Sequence, residues 1–168
     1  MPHQPRRFTL AVFVCIIGVY CPSVQSETLS APPSASAPGV AAEVINRTNI
    51  ERTHNRRAAL RANARLMRAA QLQADQMAQA RHMAHVLAHA RYPRTQDRIA
   101  ATKYRWYTVG ENVAFGQANA AKVVDSWMHS RGHRMNILNA DFTEMGVGYA
   151  VDRTGVPYYV QVFGRPRS

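Results

Sequence analysis

Met145-Gly-Val-Gly-Tyr-Ala-Val151, then Asp152-Arg-Thr-Gly155, then Val156-Pro-Tyr-Tyr-Val-Gln-Val-Phe163 is the stretch that decides the fold class. Apolar residues alternate with small ones up to Val151. A turn cluster follows, and the run from Pro157 to Phe163 is rich in Tyr and Val. This pattern reads as a β-hairpin. The segments upstream have a different period. Val40 to Thr53 carries Val40, Val44 and Ile45, with Ile50 on the flank, at helical spacing. Asn63 caps a second helix with Leu66, Ala70, Ala74 and Met77 along one face and Arg61, Arg65 and Arg68 opposite. Ala118–Ser130 lines up Ala120, Val123, Val124, Trp127 and Met128, and Gly132 reads as its stop signal. Thr95–Thr102 is a short helix, and Gly110–Phe115 adds a further short strand. Helices early and strands late predict an α+β fold, with an antiparallel sheet and helices packed against it.

The N-terminal forty residues have another character. Arg6 and Arg7 precede the apolar stretch Phe8–Tyr20, and Val24-Gln25-Ser26 offers small residues for cleavage before Glu27. Residues 1–26 therefore read as an export signal, by the general or the twin-arginine route, that directs the chain to the periplasm or the exterior. A membrane anchor is the competing reading, but Phe8–Tyr20 is short of the roughly 18 residues that a spanning helix needs. Cys21 as a lipid-attachment site is poorly served by the bulky Val19-Tyr20 before it. Residues 27–39 are a Pro/Ser/Ala-rich linker, and the domain occupies residues 40–168.

The 168 residues carry 21 Lys+Arg against 10 Asp+Glu, and 46% of them are hydrophobic, which excludes wholesale disorder. Cleavage after Ser26 removes both Cys and two Arg, leaving a charge of about +9. A disulfide scaffold is thereby excluded.

Six of the seven His lie beyond the signal. His82, His85 and His89 would share one face if helical, a spacing that suits Zn²⁺ or Cu²⁺. His129 and His133 bracket Ser130-Arg-Gly132, where a helix C-terminus would stabilise a charged imidazole. Glu111 sits in an apolar segment and is costly to bury without an Arg, a His or a metal. A structural ion pair and a catalytic or ligating role are both open to it.

Three blocks in order carry a family resemblance: Gly110-Glu-Asn-Val-Ala-Phe-Gly116, Ser126-Trp-Met-His-Ser-Arg-Gly-His-Arg-Met-Asn-Ile-Leu138 and Phe142-Thr-Glu-Met-Gly-Val-Gly-Tyr149. The chain from Val40 to Gly164 resembles the bacterial branch of the CAP superfamily, the SCP domain shared with cysteine-rich secretory and plant pathogenesis-related proteins. The resemblance implies an α-β-α sandwich, with a small antiparallel sheet between helical layers. It also implies a cleft of two His and two Glu that holds a divalent cation in some members. The matching positions are His85, Glu111 and His133, with Asn112, Ser130 and His129 as neighbours. Ser130 stands where many members have the second Glu, which leaves three protein ligands for a cation such as Zn²⁺. Arg56 replaces a usual turn Gly, and Ala58-Ala59 a frequent Pro.

The resemblance implies a secreted, non-catalytic module that recognises a lipid, a cell-envelope component or a host protein. Arg61, Arg65 and Arg68 would favour anionic surfaces. The alternative is a metal-dependent, protease-like hydrolase in the same cleft, with Glu111 as ligand or base. A Ser130–His133 pair lacks any oxyanion feature. Nucleic-acid binding through Tyr104, Trp106 and Tyr107 among Lys103 and Arg105 is opposed by export.

Overall fold

Helix α1 (Ala37–His54) starts on Ser36, whose hydroxyl accepts from the Gly39 N–H, with Pro38 in the first turn. Pro is tolerated there because its missing N–H would have had no partner in the helix. The helix therefore takes in Ala37–Gly39, which the composition assigns to the linker. The computed structural model describes residues 36–167. The expected signal peptide 1–26 with Cys15 and Cys21, and the rest of the expected linker up to residue 35, lie outside the described residues.

Strand β1 (Arg61–Ala62) precedes α2 (Ala64–Ala80). Arg61 is thus not on the polar face of α2, and only Arg65 and Arg68 are. Asn63 caps α2 by accepting from the N–H groups of Arg65 and Leu66. Leu66, Ala70, Ala74 and Met77 are all fully buried. Each large apolar side chain buried this way contributes about 1.5–3 kcal/mol. Arg81, in the left-handed region at φ 51°, ends the helix. The chain then runs irregularly to α3 (Thr95–Ala101), so the helical face of His82, His85 and His89 does not form. The buried Gln73 amide donates to the Ala84 carbonyl, and Gln76 bonds the backbone of Tyr92. These bonds hold the 82–94 segment against α2 as a loop.

After β2 (Trp106–Phe115) come α4 (Ala120–His129) and α5 (Arg131–Leu138), then β3 (Glu144–Val151) and β4 (Pro157–Pro166). Ser130, in extended conformation, ends α4 and starts α5. Gly132 lies inside α5 rather than stopping a helix. His133 accordingly sits in the first turn of α5, where the helix dipole opposes a charged imidazole; the expectation of a C-terminal position is corrected.

The sheet order is β1-β3-β4-β2. β3, β4 and β2 are antiparallel, as expected, while the two-residue β1 pairs in parallel with β3 and makes the sheet mixed. Val160 and Val162 of β4 face α2 and α3, with Leu66, Ile99 and Val113 in the same cluster. Tyr159 and Phe163 face α1, α4 and α5, together with Val44, Trp127 and Ile137. The fold is therefore α+β, with helices on both faces of one sheet.

A candidate cleft on the edge strand

β2 is an edge strand of the sheet, and its register puts Glu111 and Asn112 on opposite faces. Glu111 pairs with Val162 and points toward α2 and α3. Its Oε2 accepts from Arg98 Nη2 at 2.8 Å, and its Oε1 accepts from the Thr95 hydroxyl at 3.1 Å. His85 Nδ1 lies 3.0 Å from the same Oε1. The Glu111 side chain is 3% exposed and that of Arg98 0%. Of the two readings open to Glu111, the ion pair with an Arg is the one formed. Arg98 also donates to the carbonyls of His85, Tyr92 and Pro93. One guanidinium thus clamps the His85 loop to α3 and β2 through a fork of donors.

Asn112 lies on the other face and is fully buried. Its amide donates to the His133 carbonyl at 3.2 Å and to Gln161 Oε1 at 3.3 Å, and its oxygen accepts from Asn136 at 2.9 Å. Gln161 continues the chain to the Thr48 hydroxyl at 2.7 Å. Asn136 also caps the Glu111 carbonyl, and Trp127 donates to that of Val113. This network fixes α5 across the strand edge and carries His133 to the side where His85 stands.

The two imidazoles are driven in opposite directions. The hydrogen bond to the Glu111 carboxylate raises the pKa of His85 above 6.5, outweighing partial burial and the Arg98 charge. Burial lowers that of His133, and the charge of His85 adds to the effect. His129 does not join them. Its ring is 80% exposed and is held by the Asp125 carbonyl and carboxylate on its own helix. Ser130 makes no side-chain capping bond.

The residues do not fit a three-ligand cation site. Both Glu111 oxygens are already engaged, one of them by a buried cation, and among the described residues no three His, Cys, Asp or Glu side chains converge. Glu111 stands behind His85 as an orienting carboxylate, the position of an outer partner rather than a ligand.

Sequence reasoning missed Arg98, Thr95, Asn136 and a second buried carboxylate, Glu144. Glu144 accepts from Arg61 at 2.9 Å, Asn63 at 3.0 Å and the Tyr104 hydroxyl at 2.9 Å. Arg61 is therefore partly neutralised, and Tyr104 is buried rather than set out to stack on a base. Tyr107 remains exposed, with the Arg165 guanidinium 6.0 Å from its ring centroid. The signal for Glu111 was an acid in an apolar strand; that for Glu144, preceding Met145-Gly, was the same and went unread.

A mixed sheet between two helical layers, with a His–Glu–Arg cluster on its edge strand and an Asn on the reverse face, defines an SCP-type domain. The family model for the cysteine-rich secretory protein family, CAP, matches residues 45–163. The chain belongs to this family. It is 36% identical over 122 residues to the uncharacterized protein YkwD of Bacillus subtilis, covering 73% of this chain and 46% of that protein. It is 30% identical over 121 residues to the uncharacterized membrane protein YlbC of the same organism, covering 72% of this chain and 33% of that one. The chain thus spans less than half the length of these relatives. Among solved structures, an extracellular SCP-domain protein from Bacillus anthracis superposes with a TM-score of 0.71 at 25% identity, over 81% of this chain and 45% of that one. An outer surface protein of Borrelia burgdorferi shares the fold, with a TM-score of 0.67 at 19% identity, over 74% and 90% of the two chains. No helix among the described residues is long and apolar enough to cross a membrane.

Proposed function

We propose that the chain is exported and acts as a non-catalytic binding module at an anionic envelope surface. The observation that carries the non-catalytic reading is the engagement of Glu111. The carboxylate of the cleft accepts from Arg98, Thr95 and the His85 side, which leaves it poorly placed to take a proton from water. A hydrolase would need a free base or a metal-bound water at that point. The excess of cations over acids supports an anionic target. The extracellular description of the Bacillus anthracis neighbour supports export.

Two measurements test this reading. Mass analysis of the protein made by an exporting cell gives an N-terminus at Glu27; a retained Met1 removes the exported part. Sedimentation with vesicles of phosphatidylglycerol and phosphatidylcholine shows binding at low salt that weakens steeply as salt rises. Absence of binding at low salt overturns the anionic-surface reading. Calorimetry with Zn²⁺ on wild type and His133→Ala checks the cleft separately. Heats lost only in the variant would restore a metal role and reopen the hydrolase alternative.

A further inference from the structure

Two grooves meet at Arg57. One, of about 400 Å³, is lined by Arg52, Arg56, Arg57 and Arg61 with Ala58, Ala59 and Phe142 among its apolar parts. The other, of about 570 Å³, is lined by Arg57, Arg131 and Arg134 with Met128, Met135 and Leu138. No acidic residue lines either groove. Arg52 is buried and spends its donors on the carbonyls of Ala58, Ile137 and Asn139. Arg61 is paired with Glu144. Arg56, Arg57, Arg131 and Arg134 are exposed, and none forms an ion pair with a carboxylate among the described residues. In contrast, the groove beside Arg68 on α2 includes Asp75.

Two further features mark this end of the molecule. Met135 is 64% exposed, an unbranched apolar side chain on α5 that shares the second groove with Arg57, Arg131 and Arg134. Arg56 occupies φ 57°, a conformation that favours glycine and that strains any side chain with a Cβ. The strained position thus carries a cation into the groove, where a glycine would have carried none.

We propose that Arg56, Arg57, Arg131 and Arg134 form the membrane-facing surface of the domain, holding the phosphates of anionic phospholipids while Met135 enters the acyl boundary. The occupant is a phospholipid surface because unpaired cations share a groove with an exposed apolar side chain, the combination of an interfacial anchor. This inference rests on the anionic-surface reading above and places it on α5 and the 55–57 turn rather than on α2.

The test is sedimentation with equimolar phosphatidylglycerol/phosphatidylcholine vesicles at low salt, with each variant checked for native thermal unfolding. Arg57→Gln/Arg131→Gln is expected to weaken partitioning about 30-fold, since each cation near such a surface contributes about five-fold. Arg65→Gln/Arg68→Gln is expected to weaken it by about three-fold or less. Met135→Ser is expected to weaken it without changing the salt dependence. Equal losses in the two Arg pairs overturn this placement while leaving the broader reading intact. Wild type that fails to sediment overturns both. Glycerol phosphate that competes equally against wild type and Met135→Ser assigns the groove to a soluble phosphate and overturns the membrane surface.

Discussion

Arg98 Nη2 sits 2.8 Å from Glu111 Oε2, with both side chains out of solvent, so the two charges can be kept only together. Removing one partner leaves the other buried and uncompensated, whereas replacing both removes the desolvation cost as well. Glu111→Gln is expected to destabilise the domain by about 3–5 kcal/mol in urea denaturation. Glu111→Leu/Arg98→Met is expected to recover only part of that loss, because the carbonyls of His85, Tyr92 and Pro93 then lose their donor. A loss for Glu111→Gln below about 1 kcal/mol, the range of exposed pairs, would show that the pair is hydrated in solution.

The His85 and His133 shifts give opposite pH slopes. His85 has its folded pKa raised, so its contribution to stability is fully present below pH 6.5 and is lost as pH rises through the raised value. His133 has its folded pKa lowered, so its contribution is present above pH 6.5 and is lost as pH falls through the lowered value. His133→Gln should therefore flatten the stability profile on the acid side, and His85→Gln on the basic side. Proton NMR of the imidazoles should place the His85 midpoint above that of His133. In His85→Gln the His133 midpoint should rise, because a neighbouring positive charge is gone. Coincident midpoints would mean that the two rings do not face each other.

How much of this was legible in the sequence depended on whether a residue's partner was local. The face of Leu66, Ala70, Ala74 and Met77 and the β3–β4 hairpin could be read from period alone, because periodicity is written within one element. The need of Glu111 for a partner was legible; the identity of Arg98 was not, since no spacing rule links a seven-residue helix to a strand beside it. Helix α5 was hidden because Gly132 reads as a terminator, and Ser130 as cap to two helices has no local signature. The His trio failed for a related reason. Arg81 in the left-handed region ends α2 at a residue type that does not announce a stop. Glu111 and His133 lie within the motif blocks and His85 lies outside all three; the partners of each come from contacts that only folding makes.

Arg56 offers a trade between stability and binding. At φ 57° its Cβ costs about 1–2 kcal/mol, while glycine would add unfolded-state entropy of about 0.4–1 kcal/mol. Arg56→Gly should therefore stabilise the domain by about 0.5–1 kcal/mol while weakening its adhesion to anionic vesicles. Thermal unfolding with and without vesicles separates the two effects. A variant less stable than wild type would mean that the arginine side chain contributes packing that outweighs the strain.

Gly146 and Gly148 set how closely α2 can lie on the sheet. A Cβ at Gly146 would stand 2.1 Å from the backbone of Leu66 and Met67, and one at Gly148 would stand 2.4 Å from the backbone of Ala70. The obstructing atoms belong to helix backbone, which cannot rotate aside as a side-chain tip does, so the whole helix must move away from Val160 and Val162. Gly146→Ala should cost at least about 3 kcal/mol, the upper end for overpacked interiors. Gly132 is the internal control. A Cβ there meets nothing within 4 Å, and in the first turn of α5 alanine has the better helix propensity. Gly132→Ala should leave stability unchanged or raise it by up to about 1 kcal/mol. Urea denaturation of the two variants side by side measures the contrast. A Gly146→Ala protein as stable as Gly132→Ala would show that α2 and the sheet are not in direct backbone contact.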